Sequence, residues 1–470
     1  MELPNFLRTV SRRTFSFAIG ALVLPLREAD ATPRRAAPGE ISVLDFGADP
    51  NGANDSTSAF TAAVAKGMPV FVPAGKYLVG TIKLSPGASV RGEGESSVLI
   101  QQPGGNAILI FDSSPAEISG AKPSKISNLQ LRGACDSRGF SEFVMLAKVL
   151  GIDGLVVEGV IFRGFQGDGL YLGAASSHGP CHNRNVVVRH CLFDGMNNMN
   201  RNGISVIDCD GLQIEDCQFR NTSKNNMPGA IDLEPNHDKA TLIHGVQIRR
   251  NRFDSNGGSA AIAMYIPEAL DKPVSDVVIE DNVIVGVNAT GFSLRQIVEP
   301  PQGGAPQGFI IRHNQVSVRS GRPFVLAGID GVDVRDNVFE GCGDAASIGM
   351  KDPGTEVRRV SVAGNHFNGC GNVSGTGIAI HRVDGLHLTQ NEFVDCGNGK
   401  PQATVIGFQT GHSAGVTFEG NRFSATKGSA HYAVRMDPDH QTDAASLSFA
   451  RSNSLSSGLA VDIPGGAQQR

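Results

Sequence analysis

The most restrictive feature of this 470-residue chain is a short phrase that it repeats. Val246-Gln247-Ile248-Arg249-Arg250-Asn251-Arg252-Phe253 alternates apolar and polar residues as a strand does, then closes on Asn and Phe. Variants begin at Leu155, Val186, Leu212, Val277, Phe309, Val332, Val360, Leu386, Val416 and Leu447, so that successive copies lie 23 to 34 residues apart. An interval of that size with strand periodicity inside it marks stacked β coils, because one copy is too short to bury its own apolar face.

Asn251, Asn282, Asn314, Asn337, Asn365, Asn391 and Asn421 hold one slot in successive copies, with Cys191, Cys217 and Ser452 taking it at the ends. An amide both donates and accepts, so such a column can satisfy buried turn backbone from coil to coil. A second strand falls between the copies, beginning at Leu170, Ile204, Ile231, Ile262, Phe292, Phe324, Ile348, Ile378, Ile406 and Val434. With no hairpin turns and no long helices, the expected fold is all-β. It is a single-stranded right-handed parallel β-helix with a short N-terminal capping helix. The chain divides into an export signal (1–31), a linker (32–40), an N-terminal cap with the first coils (41–110), the β-helix (111–460) and a disordered tail (461–470).

Composition agrees: 58 Gly and 24 Phe without a single Trp suit sharp corners and an internal aromatic stack. A formal charge of −5 without a basic stripe excludes nucleic acid as the natural partner. Ser11-Arg12-Arg13-Thr14-Phe15, an apolar run to Leu26 and the small-residue site Ala29-Asp30-Ala31 resemble a twin-arginine export signal. The mature protein is therefore expected in the periplasm or secreted, without a later segment apolar enough to span a bilayer. Cys342, Cys370 and Cys396 each follow a repeat start by ten residues and should form an inward ladder, as should Cys191 and Cys217. Stacked thiols are the simplest reading, and the eight cysteines lack zinc spacing. A Cys191–Cys217 disulfide stays open, since coils stack about 4.8 Å apart.

The N-terminal segment carries Asp45-Phe46-Gly47-Ala48, Asn51-Gly52, Asp55-Ser56-Thr57 ahead of a short helix through Ala59, Phe60, Ala63 and Val64, and Val70-Phe71-Val72-Pro73-Ala74-Gly75-Lys76-Tyr77. An amphipathic helix there would cover the open end of the solenoid. Over residues 41–110 this combination resembles the pectate-lyase-like superfamily of rhamnogalacturonases, polygalacturonase relatives, epimerases and phage tailspike depolymerases. The resemblance implies a β-helix acting on polysaccharide, as a monomer or homotrimer, and leaves the reaction open. The chain departs from polygalacturonases proper, lacking their paired aspartates, Gly-His-Gly and Arg-Ile-Lys; Gly167-Asp168-Gly169 comes nearest. Asp437-Pro438-Asp439-His440 is only a scrambled echo of the Asp-Pro-His of mannuronan epimerases.

Register places the candidate chemistry. If each second strand starts with an inward residue, two outward columns follow. The first reads Tyr171, Ser205, Asp232, Ala263, Ser293, Val325, Gly349 and Ala379; the second reads Gly173, Ile207, Glu234, Tyr265, Arg295, Ala327, Lys351 and His381. Asp232 and Glu234, two apart on one strand, are the candidate acid and base, with carboxyls roughly 6 to 7 Å apart, near the lower edge for inverting hydrolysis. Like charges so placed raise one proton affinity and leave an acid beside a base. Arg201, Asn202, Tyr265, Arg295, Asp168, Tyr171, Lys351 and His381 are the candidate substrate contacts, and the guanidinium groups favour an acidic glycan. Each also has a plainer role: Asp232 and Asp168 as turn carboxylates, Arg295, Lys351 and His381 as surface residues. No cofactor is required; a calcium ion between Asp232, Glu234 and Asp208 is conceivable, although calcium-loop spacing is missing.

Three functions follow. The first is a secreted glycoside hydrolase degrading an acidic polysaccharide with Asp232 and Glu234. The second is a lyase or C5-epimerase, in which Arg295 or Lys351 neutralises a uronate carboxylate and Tyr265 or His381 moves the proton. The third is a non-catalytic glycan-binding surface protein.

Overall fold

The computed structural model describes residues 35–463 except 236–238, 267–269, 287–289, 297–303, 398–399, 401–402, 427–430 and 443–445. The export signal expected at 1–31, the start of the expected linker and most of the expected tail lie outside the described residues. Among those described, the strands form a 28-stranded and a 15-stranded sheet whose strand pairs run parallel, and the expectation of no hairpin turns fails once, at the antiparallel pair Ala175–Ser176 and Gly179–Pro180. The α-helices among them are three short ones, Thr57–Val64, Pro115–Ile118 and Cys135–Arg138.

Each coil packs on the next through matched residues. Leu170, Ile204, Ile231, Ile262, Phe292 and Phe324 align in one inward column. Phe162, Phe193, Phe219 and Phe253 stack in the interior with ring centroids 4.6, 4.8 and 4.9 Å apart. That spacing equals the distance between paired strands, so every ring meets its neighbour face to face at no cost in backbone geometry. Phe339, Phe367, Phe393 and Phe423 repeat the stack further on.

The asparagine column is continuous. Each Oδ1 accepts the backbone N–H of the preceding column member, as Asn365 accepts from Asn337 (3.0 Å), while each Nδ2 donates to a strand carbonyl and to the next Oδ1. At the N-terminal end Cys217 donates its backbone N–H to Asn251 (2.9 Å), and Cys191 donates to the Cys217 sulfur. At the C-terminal end the expected Ser452 is displaced: Asn453 fills the slot, accepting from Asn421 N–H at 2.9 Å. Leu447–Phe449 pairs with Val416–Phe418, and one extra residue before the slot moves it on by one. All eight cysteines are buried free thiols, so Cys191 and Cys217 stack without a disulfide. The ladder thiols donate to carbonyls of the coil before, as Cys370 does to Phe339 O (3.4 Å).

The helix Thr57–Val64 buries Ala59, Phe60 and Ala63, with the Phe60 ring edge-on to Tyr77 at 5.5 Å. Its first turn is held by Asp55, whose Oδ1 accepts from Thr57 N–H (2.8 Å); the Ser56 hydroxyl accepts instead from Asp49 N–H (2.9 Å). One register expectation fails. Val325 pairs with Ser347, and Ser347 with Ala379, so Ser347 and Gly349 occupy the column positions expected for Gly349 and Lys351. Lys351 lies past the strand Ala346–Ile348, exposed in the following bend.

Candidate active site

The outward face of the strands Leu170–Gly173, Ile204–Val206 and Gly229–Leu233 carries the densest set of ionisable groups expected from the sequence. Ile231 and Leu233 are fully buried in the core, which turns Asp232 outward beside Ser205. Outward does not mean exposed. Asp232 and Asp168 are both 0% exposed, because Arg201, from the turn before the Ile204–Val206 strand, lies across them. This corrects the expectation of two carboxylates facing solvent; only Glu234, with 26% of its side chain exposed, does so.

Arg201 organises the cluster. Its Nη2 reaches Glu234 Oε2 at 2.6 Å and Asp232 Oδ2 at 3.6 Å, while Nη1 bonds Ser205 Oγ at 2.8 Å and lies 3.4 Å from Asp168 Oδ2. Glu142, from a preceding loop, approaches Nε at 3.8 Å. Asn202 completes the shell, donating from Nδ2 to Ser205 Oγ (2.8 Å) and Asp232 Oδ2 (3.2 Å) and from its backbone to Asp168 (3.2 Å). One Nη2 bridging both acids brings them closer than the roughly 6.5 Å at which the inverting range begins.

The charges do not balance. Burial pushes Asp168 up to about 6 despite the adjacent Arg201, and burial together with the Glu234 charge raises Asp232 well above the carboxylate range. Arg201 is held firmly protonated by the surrounding carboxylates, which outweigh its burial. The cluster therefore sets a buried Asp232, its affinity for protons raised, against the ion pair of Arg201 and Glu234, and among the described residues Asp232 Oδ1 has no hydrogen-bond partner.

The other candidates distribute along the same face. Tyr171 lies two coils before Asp232 in its column, with the Lys148 ammonium 5.6 Å from its ring centroid. Tyr265 and Arg295 pair with one another in the two coils after Glu234, the guanidinium 6.0 Å from the ring centroid. His381 is 7% exposed and bonded through Nδ1 to Thr410 O (3.2 Å), which removes it from the groove. Asp208 is engaged by His182 Nδ1 (2.8 Å), Leu242 N–H (2.8 Å) and Asn183 N–H (3.1 Å). It does not join Asp232 and Glu234, and Arg201 fills the space that a cation between those acids would take. Among the described residues no three His, Cys, Asp or Glu side chains gather as a metal site. Ser205 and Glu142 were not singled out from the sequence. Ser205 stood in the outward column between Tyr171 and Asp232 and was findable there; Glu142 comes from a loop without periodicity.

Comparison with known proteins is consistent with this architecture. Residues 40–136 match the family described as Rhamnogalacturonase A/epimerase, pectate lyase-like, and residues 244–435 match the one described as Right handed beta helix region. The chain is a right-handed parallel β-helix with a pectate-lyase-like N-terminal segment. A 63-residue stretch of this β-helix protein is 44% identical to the phage-related protein YobO of Bacillus subtilis (strain 168), covering 13% of this chain and 8% of that one. The catalytic unit of a thermostable GH87 α-1,3-glucanase from Streptomyces thermodiastaticus superposes over 92% of this chain and 70% of its own, at 17% identity and a TM-score of 0.51. The tailspike of E. coli bacteriophage HK620, solved with a pentasaccharide, covers 89% and 78% at 14% identity and a TM-score of 0.58. The N-terminal fragment of bacteriophage Phi29 gene product 12 covers 88% and 81% at 14% identity and a TM-score of 0.56. At these identities the likeness is one of fold.

Proposed function

We propose that this protein is an exported glycoside hydrolase that degrades an acidic polysaccharide, with Asp232 and Glu234 as its acid–base pair. The observation that carries the reading is a fully buried carboxyl, Asp232, held with the groove-facing Glu234 on one arginine nitrogen, its affinity for protons raised by burial and by the Glu234 charge. Glu234 meets the sugar, and Asp232 holds the proton that the pair shares. The proton passes to the glycosidic oxygen as the bond to the anomeric carbon breaks; water adds to that carbon and returns a proton to the pair. Asp168, Asn202 and Ser205 act through Arg201, fixing its place between the two acids.

The glucanase and the oligosaccharide-bound tailspike among the similar folds support a polysaccharide substrate. The arginine pair in residues 1–31 supports export. The lyase or epimerase reading loses two of its named groups, since Lys351 stands outside the column and His381 is bonded away from the groove. The test is incubation of the protein with a panel of acidic and neutral polysaccharides, followed by reducing-end and ultraviolet assays. New reducing ends without an absorbing unsaturated product are expected, and both Asp232→Asn and Glu234→Gln should lower the rate at least about a hundredfold. Full activity in both variants would overturn the assignment, and an oligosaccharide retained intact would identify a binding protein instead.

A further inference from the structure

The outward face changes sign beyond the carboxylate cluster. Arg295 follows Glu234 and Tyr265 in the second column, on the strand Thr290–Gln296. Among the described residues no carboxylate pairs with it, and its Nε is buried without a hydrogen-bond partner. Several arginines elsewhere on this helix are neutralised from the neighbouring coil, as Arg189 is by Glu158 (2.8 Å), Arg249 by Glu215 (2.8 Å) and Arg359 by Asp330 (2.9 Å). Arg322, before the next strand, lies on the adjacent coil, its carbonyl accepting from Gly291 N–H (2.9 Å); Asp344 holds its Nε at 2.9 Å, and its charge acts against that of Arg295. A half-buried guanidinium that feels a second positive charge and has no carboxylate partner among the described residues is unfavourable by itself and becomes favourable when an anion binds.

We infer that Arg295 and Arg322 form a subsite for an anionic substituent of the bound glycan, a uronate carboxylate or a sulfate ester, two coils C-terminal of Glu234. The Tyr265 ring between them and Glu234 offers an apolar face to the intervening sugar. Two coils amount to about 10 Å along the helix axis, the length of about two pyranose units. The subsite would therefore set where the chain is cut relative to its charged residue. This last consequence, and not the anion site itself, rests on Asp232 and Glu234 being the reacting pair.

The test is affinity electrophoresis of the full protein through gels containing dextran sulfate or dextran, and polygalacturonate or its full methyl ester, at two salt concentrations. The parent should be retarded by at least one charged polymer and not by its neutral counterpart. The retardation should weaken with salt. Arg295→Met and Arg322→Met should each weaken it by about tenfold, with Arg295→Lys in between and all three matching the parent in circular dichroism and urea midpoint. The sulfate and carboxylate arms tell the two anions apart. Parent protein that ignores both charged polymers, that binds charged and neutral forms equally, or whose arginine variants bind undiminished would overturn the inference. Arginine-dependent binding without any cleavage would sink the hydrolase reading alone. Cleavage that needs Asp232 but is indifferent to Arg295 and Arg322 would sink the subsite alone.

Discussion

Replacing Arg201 by Met gives the sharpest test of how the buried acids are held, because Met keeps the apolar stem and removes only the charge. In the parent, Asp168 is fully buried, and burial pushes its carboxyl up from the ordinary carboxylate range to about 6. A carboxyl whose folded value lies above its unfolded one stabilises the fold at low pH and loses that contribution as pH rises through the folded value. For Asp168 the loss runs from about pH 4 to about pH 6 and amounts to about 3 kcal/mol. Without Arg201 the cluster loses the cation at 2.6 Å from Glu234 and 3.6 Å from Asp232, so the acids hold protons still more tightly and the loss extends to higher pH. Removing one partner from a buried charged group costs about 3 to 5 kcal/mol; that is the deficit expected at pH 7.5. At pH 4.5 Asp168 is protonated in both proteins, and the deficit should shrink to about 1 kcal/mol, the value of a partly exposed pair. Urea unfolding followed by far-ultraviolet circular dichroism reads this directly, since the chain has no Trp to report by fluorescence. An equal deficit at both pH values would mean that Arg201 acts through packing, and the charge argument would fall.

Asn365→Ala should cost about 3 kcal/mol, because it takes the acceptor from the buried Asn337 N–H, one of two acceptors from Asn337 Nδ2 and a donor from the Val334 carbonyl, whereas Asn453→Ala breaks the matching bonds to Asn421 and Phe418 at the end of the column, where a position 9% exposed lets water replace them, and should cost about 1 kcal/mol. Urea midpoints of the two variants measure the difference. His440, bonded to Ser413 Oγ at 2.9 Å, and His381 are both held below the usual imidazole range by burial, so their contribution is present above about pH 6.5 and lost on acidification. Amide exchange in the strand Thr404–Glu419 should quicken between pH 7.5 and pH 5 beyond the intrinsic change, and His440→Gln should abolish that excess; an unchanged excess in the variant would remove His440 from the account.

Which parts of the molecule were legible in the sequence follows from what alternation can and cannot report. A slip of one residue exchanges core and solvent faces, so the inward column from Leu170 to Phe324 could be read correctly across six coils. A slip of two residues leaves every face unchanged. At Ala346 the inward residue is too small to announce itself, Ile348 offers the stronger apolar signal in the same phase, and Lys351 was placed two positions out of register for that reason. The column of amides was legible because its slot lies at a fixed distance from the strand, and it failed only at Ser452, where one inserted residue changes that distance.

The candidate site was visible as a set of residues but not as an environment. Asp232, on the strand Gly229–Leu233, and Glu234, just past its end, obey the repeat; the residue that buries one and pairs with the other, Arg201, comes from a turn whose direction no periodicity fixes. The same column shows what the position accepts when chemistry is not at stake, since Asp232 lies between Ser205 and Ala263. Either neighbour would satisfy the strand without desolvating an acid or raising its proton affinity. A buried carboxyl maintained at that point, with an arginine and an asparagine arranged around it, is a local cost that stacking of the coils does not require. That mismatch between what the repeat needs and what the chain places there is the physical ground for looking for function at Asp232 rather than at the more conspicuous ladders of Asn and Phe.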